Sequence, residues 1–469
     1  MIKIIHTNDI HGKIEKDEKT KVDISKFSAK LEEIRKEHST LLLDAGDTIH
    51  GQPIVSISEG KAMIDIMNEM KYDAMVPGNH DFNYGRERLL ELAELAEFPI
   101  ISANIYDEQG DRLLAPYTLK EIDGVKVGIF GITTPETVQK ARPEDIEGLR
   151  FEDPVLESQK MVSILKDQER VDVIIALVHL GIDKSTMPEH RSDTLADSVE
   201  GIDLVVDGHS HTELKASRLI GEIPIVQAGD SMRCIGMVNF IKKACGEAEI
   251  SSEFIYREDI NGIKEDLSIS RILIRVDEEN NRSTSEIVGI SKRDLNGDRF
   301  SVRTRETNLG VLLAEAMKYI TGADIAITNG GGIRGSINAG FITRKEIVSA
   351  FPFDNYVITK EVSGKDIVKA LEHGLSFYPE PSSAFPHVGG ISFKLDRLKA
   401  QGKRVYDVFI AGERLEERKL YKLATNDFLA SGGDSYDMFK TAKMTGSYAS
   451  IDEVLSTYIK KQAYTGARN

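Results

Sequence analysis

Cysteine is nearly absent from this chain: only Cys234 and Cys245 occur in 469 residues. The pair fits no metal or redox spacing, and although one bridge between them stays open, nothing in the sequence supports it. Long apolar runs are missing as well. No stretch approaches the roughly 18 consecutive apolar residues of a membrane-crossing helix. Met1 runs almost directly into an apolar strand pattern, with no basic and apolar leader ahead of it. If Met1 is the native start, a cytoplasmic protein is expected; if a signal peptide has been trimmed away, an exported one. Positive charge is also in deficit, with 60 Lys and Arg against 76 Asp and Glu and a formal net charge of −16. That balance repels nucleic-acid backbone and anionic membrane, so neither is expected as a partner. A small phosphorylated substrate needs only local positive charge in a cleft. No feature specifies an oligomeric state.

What is present is globular: 41% of the residues are hydrophobic and 29% charged. The length exceeds what one core usually serves, so two domains are expected. In the first half, strand-like runs alternate with amphipathic stretches at 25–38 and 86–98, whose apolar residues recur every three or four positions. KVGIFGITTP (126–135) and IPIVQAGDSMRCIGMVNF (223–240) add further strands, the latter suggesting a second sheet. The fold class is therefore α/β. From about Glu253 to Arg293 the text turns polar around DEENNRSTSE, which reads as a loop or an exposed helix. A connection at 261–292 is expected to join domains over 1–260 and 293–469.

Five segments carry the chemistry: IKIIHTNDIHG, LLLDAGD, MVPGNHDF, VIIALVHLG and LVVDGHSH. In each, an apolar run is followed at once by metal-ligand side chains. Buried strands place such residues at their carboxyl ends, where open α/β sheets bind ligands. Asp9, His11, Asp47, Asn79, His179, His209 and His211 all lie at these exits. Two divalent ions about 3.5–4 Å apart need a bridging carboxylate with imidazoles and oxygens around it, and this set supplies both. One such residue would ordinarily be a turn or cap residue, but five loops of this kind are not explained that way. His6, His38, His50, His190, His373 and His387 lack this setting and read as structural or solvated.

HTNDIHG, DAGD, GNHDF and GHSH resemble the calcineurin-type metallophosphoesterase core, and the whole chain resembles the 5′-nucleotidase and bifunctional UDP-sugar hydrolase family. The resemblance implies a four-layer αββα sandwich followed by an α/β nucleotide-binding domain, linked in the family by a helix. It implies that Asp9, His11, Asp47 and His211 hold one ion and Asp47, Asn79, His179 and His209 the other, with Asp47 as the bridge. Zn, Mn or Co suits these donors. His80 matches the catalytic histidine that stabilises charge on the phosphoryl group. Many relatives carry Asp where this chain has Asn83, a partner of that histidine. Asn can still bond the ring but brings no charge to it. Asn83 to Gly85 is similar to the branch acting on 2′,3′-cyclic nucleotides and 3′-nucleotides. At His211 several relatives have Gln or Asn.

In the second half, DIAITNGGGIRG runs a strand into three glycines, which serve either a tight turn or close backbone approach to a ligand, with Arg334 just beyond. The family's nucleotide pocket corresponds here to Arg303, Asn329, Arg334, Phe353, Phe428 and Asp434. Phe353 and Phe428 would sandwich the base, Asp434 would accept from ribose hydroxyls, Asn329 would touch the base, and the arginines would meet phosphate or sugar oxygens. Without the resemblance, both phenylalanines would read as core. In the cyclic-nucleotide branch the stacking pair is usually tyrosine, so the pocket favours 5′-monophosphates where Asn83 points elsewhere. Hydrolysis of nucleoside 5′-monophosphates, with UDP-sugars as further substrates, is the expectation. A 2′,3′-cyclic-nucleotide phosphodiesterase with 3′-nucleotidase activity is the alternative. A non-catalytic nucleotide-binding protein is a third reading, against which the complete ligand set counts.

Overall fold

The computed structural model describes residues 2–14, 21–141, 143–183, 186–214, 217–242, 248–353 and 355–465. They form two compact units, Met1–Asn280 and Asn281–Asn469.

Two sheets make the N-terminal unit. One has five strands in the order Ala248–Tyr256, Cys234–Lys242, Ile2–Thr7, Ser39–Asp44, Ala74–Met75. The other has six, in the order Arg218–Ile220, Ile223–Val226, Leu204–Val206, Val173–His179, Val125–Thr133, Tyr117–Ile122. Alternation along the strands divides their side chains between two faces. Ile4, Leu41 and Leu43 join Ile129, Ile175, Leu177 and Val206 in one core shared by both sheets. Ile5 and Leu42 point the other way, into a second core with Phe27, Leu31, Met63 and Met67. Phe130, Ile174 and Ala176 do the same on the far sheet, against Met161, Leu165 and Leu195. The result is a helix–sheet–sheet–helix sandwich. The helix Ile24–Glu37 shows why the covering layer forms: Phe27, Leu31 and Ile34 fall on one buried face, and Asp23 caps the first turn by accepting from Ser25 N and Lys26 N.

The C-terminal unit is built on a mixed five-stranded sheet ordered Pro386–Gly389, Ile325–Asn329, Leu420–Asn426, Tyr356–Ser363, Lys443–Ser450. Ala326 packs into the core on one face, Ile325 and Ile327 into that on the other. The helix Asn308–Thr321 begins at the Thr307 cap and stops at Gly322, whose φ of 59° is left-handed.

The polar stretch from Glu253 takes the helical one of its two expected forms over much of its length. Its first residues end the strand Ala248–Tyr256, an 18-residue helix covers Leu267–Thr284, and Ile287–Ser291 is again a strand. Ala248–Tyr256 lies at a sheet edge, where Glu249, Ser251 and Glu253 face solvent in alternation, so polar residues there do not signal a loop. Cys234 is buried, and Cys245 lies outside the described residues, as does any bridge between the two. Among the described residues no helix is long and apolar enough to cross a membrane.

His6 and His387 are buried structural side chains. His387 donates from Nε2 to Val302 O at 2.9 Å, and its ring lies so close over Gly310 that a Cβ there would meet Nδ1 at 2.1 Å. Burial pushes both imidazoles down from 6.5 to about 4. Between those values the unfolded chain binds protons that the folded chain refuses. Stability is therefore unaffected near neutral pH and falls as the pH drops from 6.5 to 4, by at most about 3 kcal/mol per ring. His387→Gln, which keeps an N–H for Val302, should flatten that fall in denaturant midpoints measured across the window; an unchanged slope would contradict the assignment.

Candidate metal centre and substrate pocket

The parallel strands of both sheets of the N-terminal unit deliver their carboxyl ends to one place. Asp9 follows Ile2–Thr7, Asp47 follows Ser39–Asp44, Asn79 follows Ala74–Met75, His179 ends Val173–His179, and His209 and His211 follow Leu204–Val206. The turns are sharp. Asp9, His11, Asp47, His209 and His211 all have positive φ, from 49° to 77°, a conformation that costs of order 1–3 kcal/mol per non-glycine residue and persists where surrounding structure enforces it.

Donor atoms of Asp9, His11 and His211 lie within 4.8 Å of one another, as do those of Asp47, His179 and His209. His11 Nε2 and His211 Nε2 are 3.0 Å apart, and His211 Nε2 is 3.4 Å from Asp9 Oδ1. Asp47 turns Oδ2 to His179 Nε2 at 3.3 Å and accepts from His80 N through Oδ1 at 2.8 Å.

The outer nitrogens of two rings decide what lies between them. His179 Nδ1 donates to Ala45 O at 2.7 Å, leaving a lone pair on Nε2. His209 Nε2 faces the Glu136 carboxylate at 3.5 Å, leaving a lone pair on Nδ1. Those two lone pairs face each other across 3.2 Å, a geometry that suits a cation. In the protein alone the same place attracts a proton. Burial works against charge on His179, yet Asp47 and Asp9 outweigh it and raise its pKa to about 10. Asn79 points to the same conclusion: it is buried, and neither side-chain oxygen nor nitrogen has a hydrogen-bond partner among the described residues. The residues present fit divalent metal.

The sequence motifs assign three supporting residues no role at the site. Asp81, within GNHD, accepts from four backbone N–H groups, those of Asp47, Thr48, Ile49 and Gly78, at 2.8–2.9 Å, and so ties the loop of Asp47 to the loop of Asn79. Glu136 follows the strand Val125–Thr133, one more strand exit, and that position was its only signal. His50, assigned outside the site, is in it: its Nε2 lies 2.8 Å from His11 Nδ1 and its ring stacks on His80. Asn83 presents its amide Nδ2 to His80 Nδ1 at 3.2 Å, which leaves the His80 proton on Nε2.

In the C-terminal unit several of the six candidate pocket residues are linked to one another. Asn329 Nδ2 donates to Asp434 Oδ2 at 2.7 Å, and Ser383 Oγ to Asp434 Oδ1 at 2.8 Å. The Arg334 guanidinium sits 4.9 Å from the centre of the Phe353 ring. Burial, with the charges of Arg299 and Arg334, lowers the Arg303 pKa against the pull of Asp434, and its buried Nε has no partner among the described residues. Asn355 donates to Asp427 at 2.7 Å, tying the chain after Phe353 to the turn bearing Phe428. Phe353 is 44% exposed and Phe428 43%, so neither is a core residue. The first glycine of the run has a packing reason: a Cβ on Gly330 would lie 2.0 Å from Val302 O.

A family model for calcineurin-like phosphoesterases matches residues 2–213, and one for the 5′-nucleotidase C-terminal domain matches 287–441. Protein UshA of Yersinia enterocolitica is 31% identical over 511 residues, spanning 98% of this chain and 91% of that protein. The trifunctional nucleotide phosphoesterase protein YfkN of Bacillus subtilis is 32% identical over 508 residues; the match takes in 98% of this chain and 34% of YfkN, so the chain spans about a third of that relative. The crystal structure of a 5′-nucleotidase precursor from Thermus thermophilus is 29% identical, with a TM-score of 0.62 over 98% of this chain and 96% of that one. The chain belongs to the 5′-nucleotidase family of calcineurin-like phosphoesterases, and it is a metal-dependent phosphoester hydrolase.

Asp81→Asn would leave two of the four N–H groups facing an amide NH2 instead of an oxygen. A loss of about 3 kcal/mol in stability is expected, from about 1–3 kcal/mol per unsatisfied donor. Metal affinity should weaken at least about tenfold. Thermal unfolding and chelator competition measure the two, and parent-like values in both would contradict this role.

Proposed function

We propose that this protein hydrolyses nucleoside 5′-monophosphates to nucleoside and phosphate with two divalent ions, and acts on UDP-sugars with the same residues. The observation that carries the reading is the pair of lone pairs on His179 and His209, turned toward each other beside Asp47. Asp9, His11, Asp47 and His211 would hold one ion, and Asp47, Asn79, His179 and His209 the other. Zn, Mn or Co fits these nitrogen and oxygen donors. Such ions supply Lewis acidity toward phosphoryl oxygens and make water nucleophilic near neutral pH.

The protein's own groups do the rest. His80, with its proton on Nε2, donates to a phosphoryl oxygen as charge grows there. Arg303 and Arg334 bind phosphate or sugar oxygens, Asp434 accepts from ribose hydroxyls, Asn329 contacts the base, and Phe353 and Phe428 stack on it. Fixing the nucleoside aligns its 5′ oxygen as leaving group. We assign the catalytic half to 1–260, the connection to 261–292 and the nucleotide-binding half to 293–469.

One observation favours a second reading. Asn83 meets His80 with an amide where many relatives have a carboxylate, which supports activity on 2′,3′-cyclic nucleotides and 3′-nucleotides. Phosphate release by metal-stripped protein refilled with Mn, Zn, Co or Mg separates the two, using AMP, 3′-AMP, UDP-glucose and 2′,3′-cyclic AMP, with a coupled phosphatase for the diesters. AMP should be fastest; preference for the cyclic diester and 3′-AMP would favour the second reading, and silence on all four a binding role. Phe428→Ala should raise KM for AMP about tenfold, from the ~1–3 kcal/mol of base stacking, while leaving a small aryl phosphate unaffected. Equal effects on both substrates would sink the stacking pocket.

A further inference from the structure

The loop after Asp47 carries a histidine with no part in the mechanism above. His50 is buried, its Nε2 lies 2.8 Å from His11 Nδ1, and its ring stacks on His80 with centroids 4.7 Å apart and planes inclined by 23°. The opposite nitrogen of His11, Nε2, faces His211 Nε2 at 3.0 Å and Asp9 Oδ1 at 3.9 Å. For Nε2 to offer a lone pair on that side, the proton of His11 must sit on Nδ1. Nδ1 then donates to His50 Nε2, which fixes both the tautomer and the ring plane of His11. The proton of His50 accordingly sits on its own Nδ1, which has no hydrogen-bond partner among the described residues.

We propose that His50 is a positioning residue that serves two others at once. One edge of its ring holds His11 in the tautomer that binds metal; its flat face sets the plane of His80. This rests on the reading of Asp9, His11, Asp47 and His211 as one ion's ligands. A competing role exists, because donor atoms of His11, Asp47 and His50 also lie within 4.8 Å of one another. As a ligand, however, His50 would draw the ion to the Nδ1 side of His11 and leave the nitrogen facing Asp9 and His211 without one.

Two substitutions separate these roles. His50→Ala removes both the acceptor and the stacked ring, whereas His50→Gln retains an oxygen that can accept from His11 Nδ1. Chelator competition with Mn and Zn would give affinity, elemental analysis at saturation the stoichiometry, and turnover of bis(p-nitrophenyl) phosphate a rate independent of any nucleoside pocket. The Ala variant should bind one ion about 10–100-fold more weakly while keeping the parent stoichiometry when saturated. Its kcat should fall with KM little changed even then. The Gln variant should recover metal affinity to within a few-fold but not kcat. Loss of one ion at saturation would overturn the proposal in favour of direct ligation, and parent-like binding and turnover in both variants would overturn it outright. If the Ala variant does not fold, the Gln variant decides alone, since parent-like kcat there removes the stacking role. A parent protein that binds no ion would contradict the underlying metal reading, which is a different result from either of these.

Discussion

Two imidazole lone pairs 3.2 Å apart repel each other unless something positive lies between them, and the N-terminal unit holds His179 and His209 in that relation. Neither ring can turn away easily. His179 is anchored on its far side by Ala45 O, and His209 faces Glu136. Asp47 stands against the same pair, and its loop is fixed by the four N–H groups gathered on Asp81. Left-handed backbone at five of the candidate ligands adds local strain, which the buried sandwich beneath offsets. The candidate centre is thus preorganised by protein contacts alone, so the candidate ligands need little rearrangement to meet an ion.

A similar economy of partners marks the C-terminal unit. Arg303 keeps a buried Nε with no partner among the described residues, and Phe353 and Phe428 stay largely exposed where a core would have enclosed them. Asp434, by contrast, is held firmly by Asn329 and Ser383.

The sandwich and the candidate ligands were legible because their signals are local. Ile4, Ile5, Leu42 and Leu43 alternate between two cores, and the chemistry follows each strand within a few residues. The supporting groups were not legible in that way. Asp81 reads as one more motif carboxylate until its four N–H donors from two loops are seen. His50 and Glu136 matter through contacts 39 and 73 residues away in sequence, with no spacing to mark them. The stretch after Glu253 reads as either a loop or an exposed helix, and the helix Leu267–Thr284 takes the second form; its first residues, which end an edge strand, and the strand Ile287–Ser291 fall outside both.

The measurement that bears most directly on the metal centre is anomalous diffraction at the Mn or Zn edge from crystals soaked in that ion. Two peaks about 3.5–4 Å apart are expected, with Asp47 between them and Asn79 touching one. A single peak, or two that do not share Asp47, would contradict the assignment of these seven side chains to a paired-ion site.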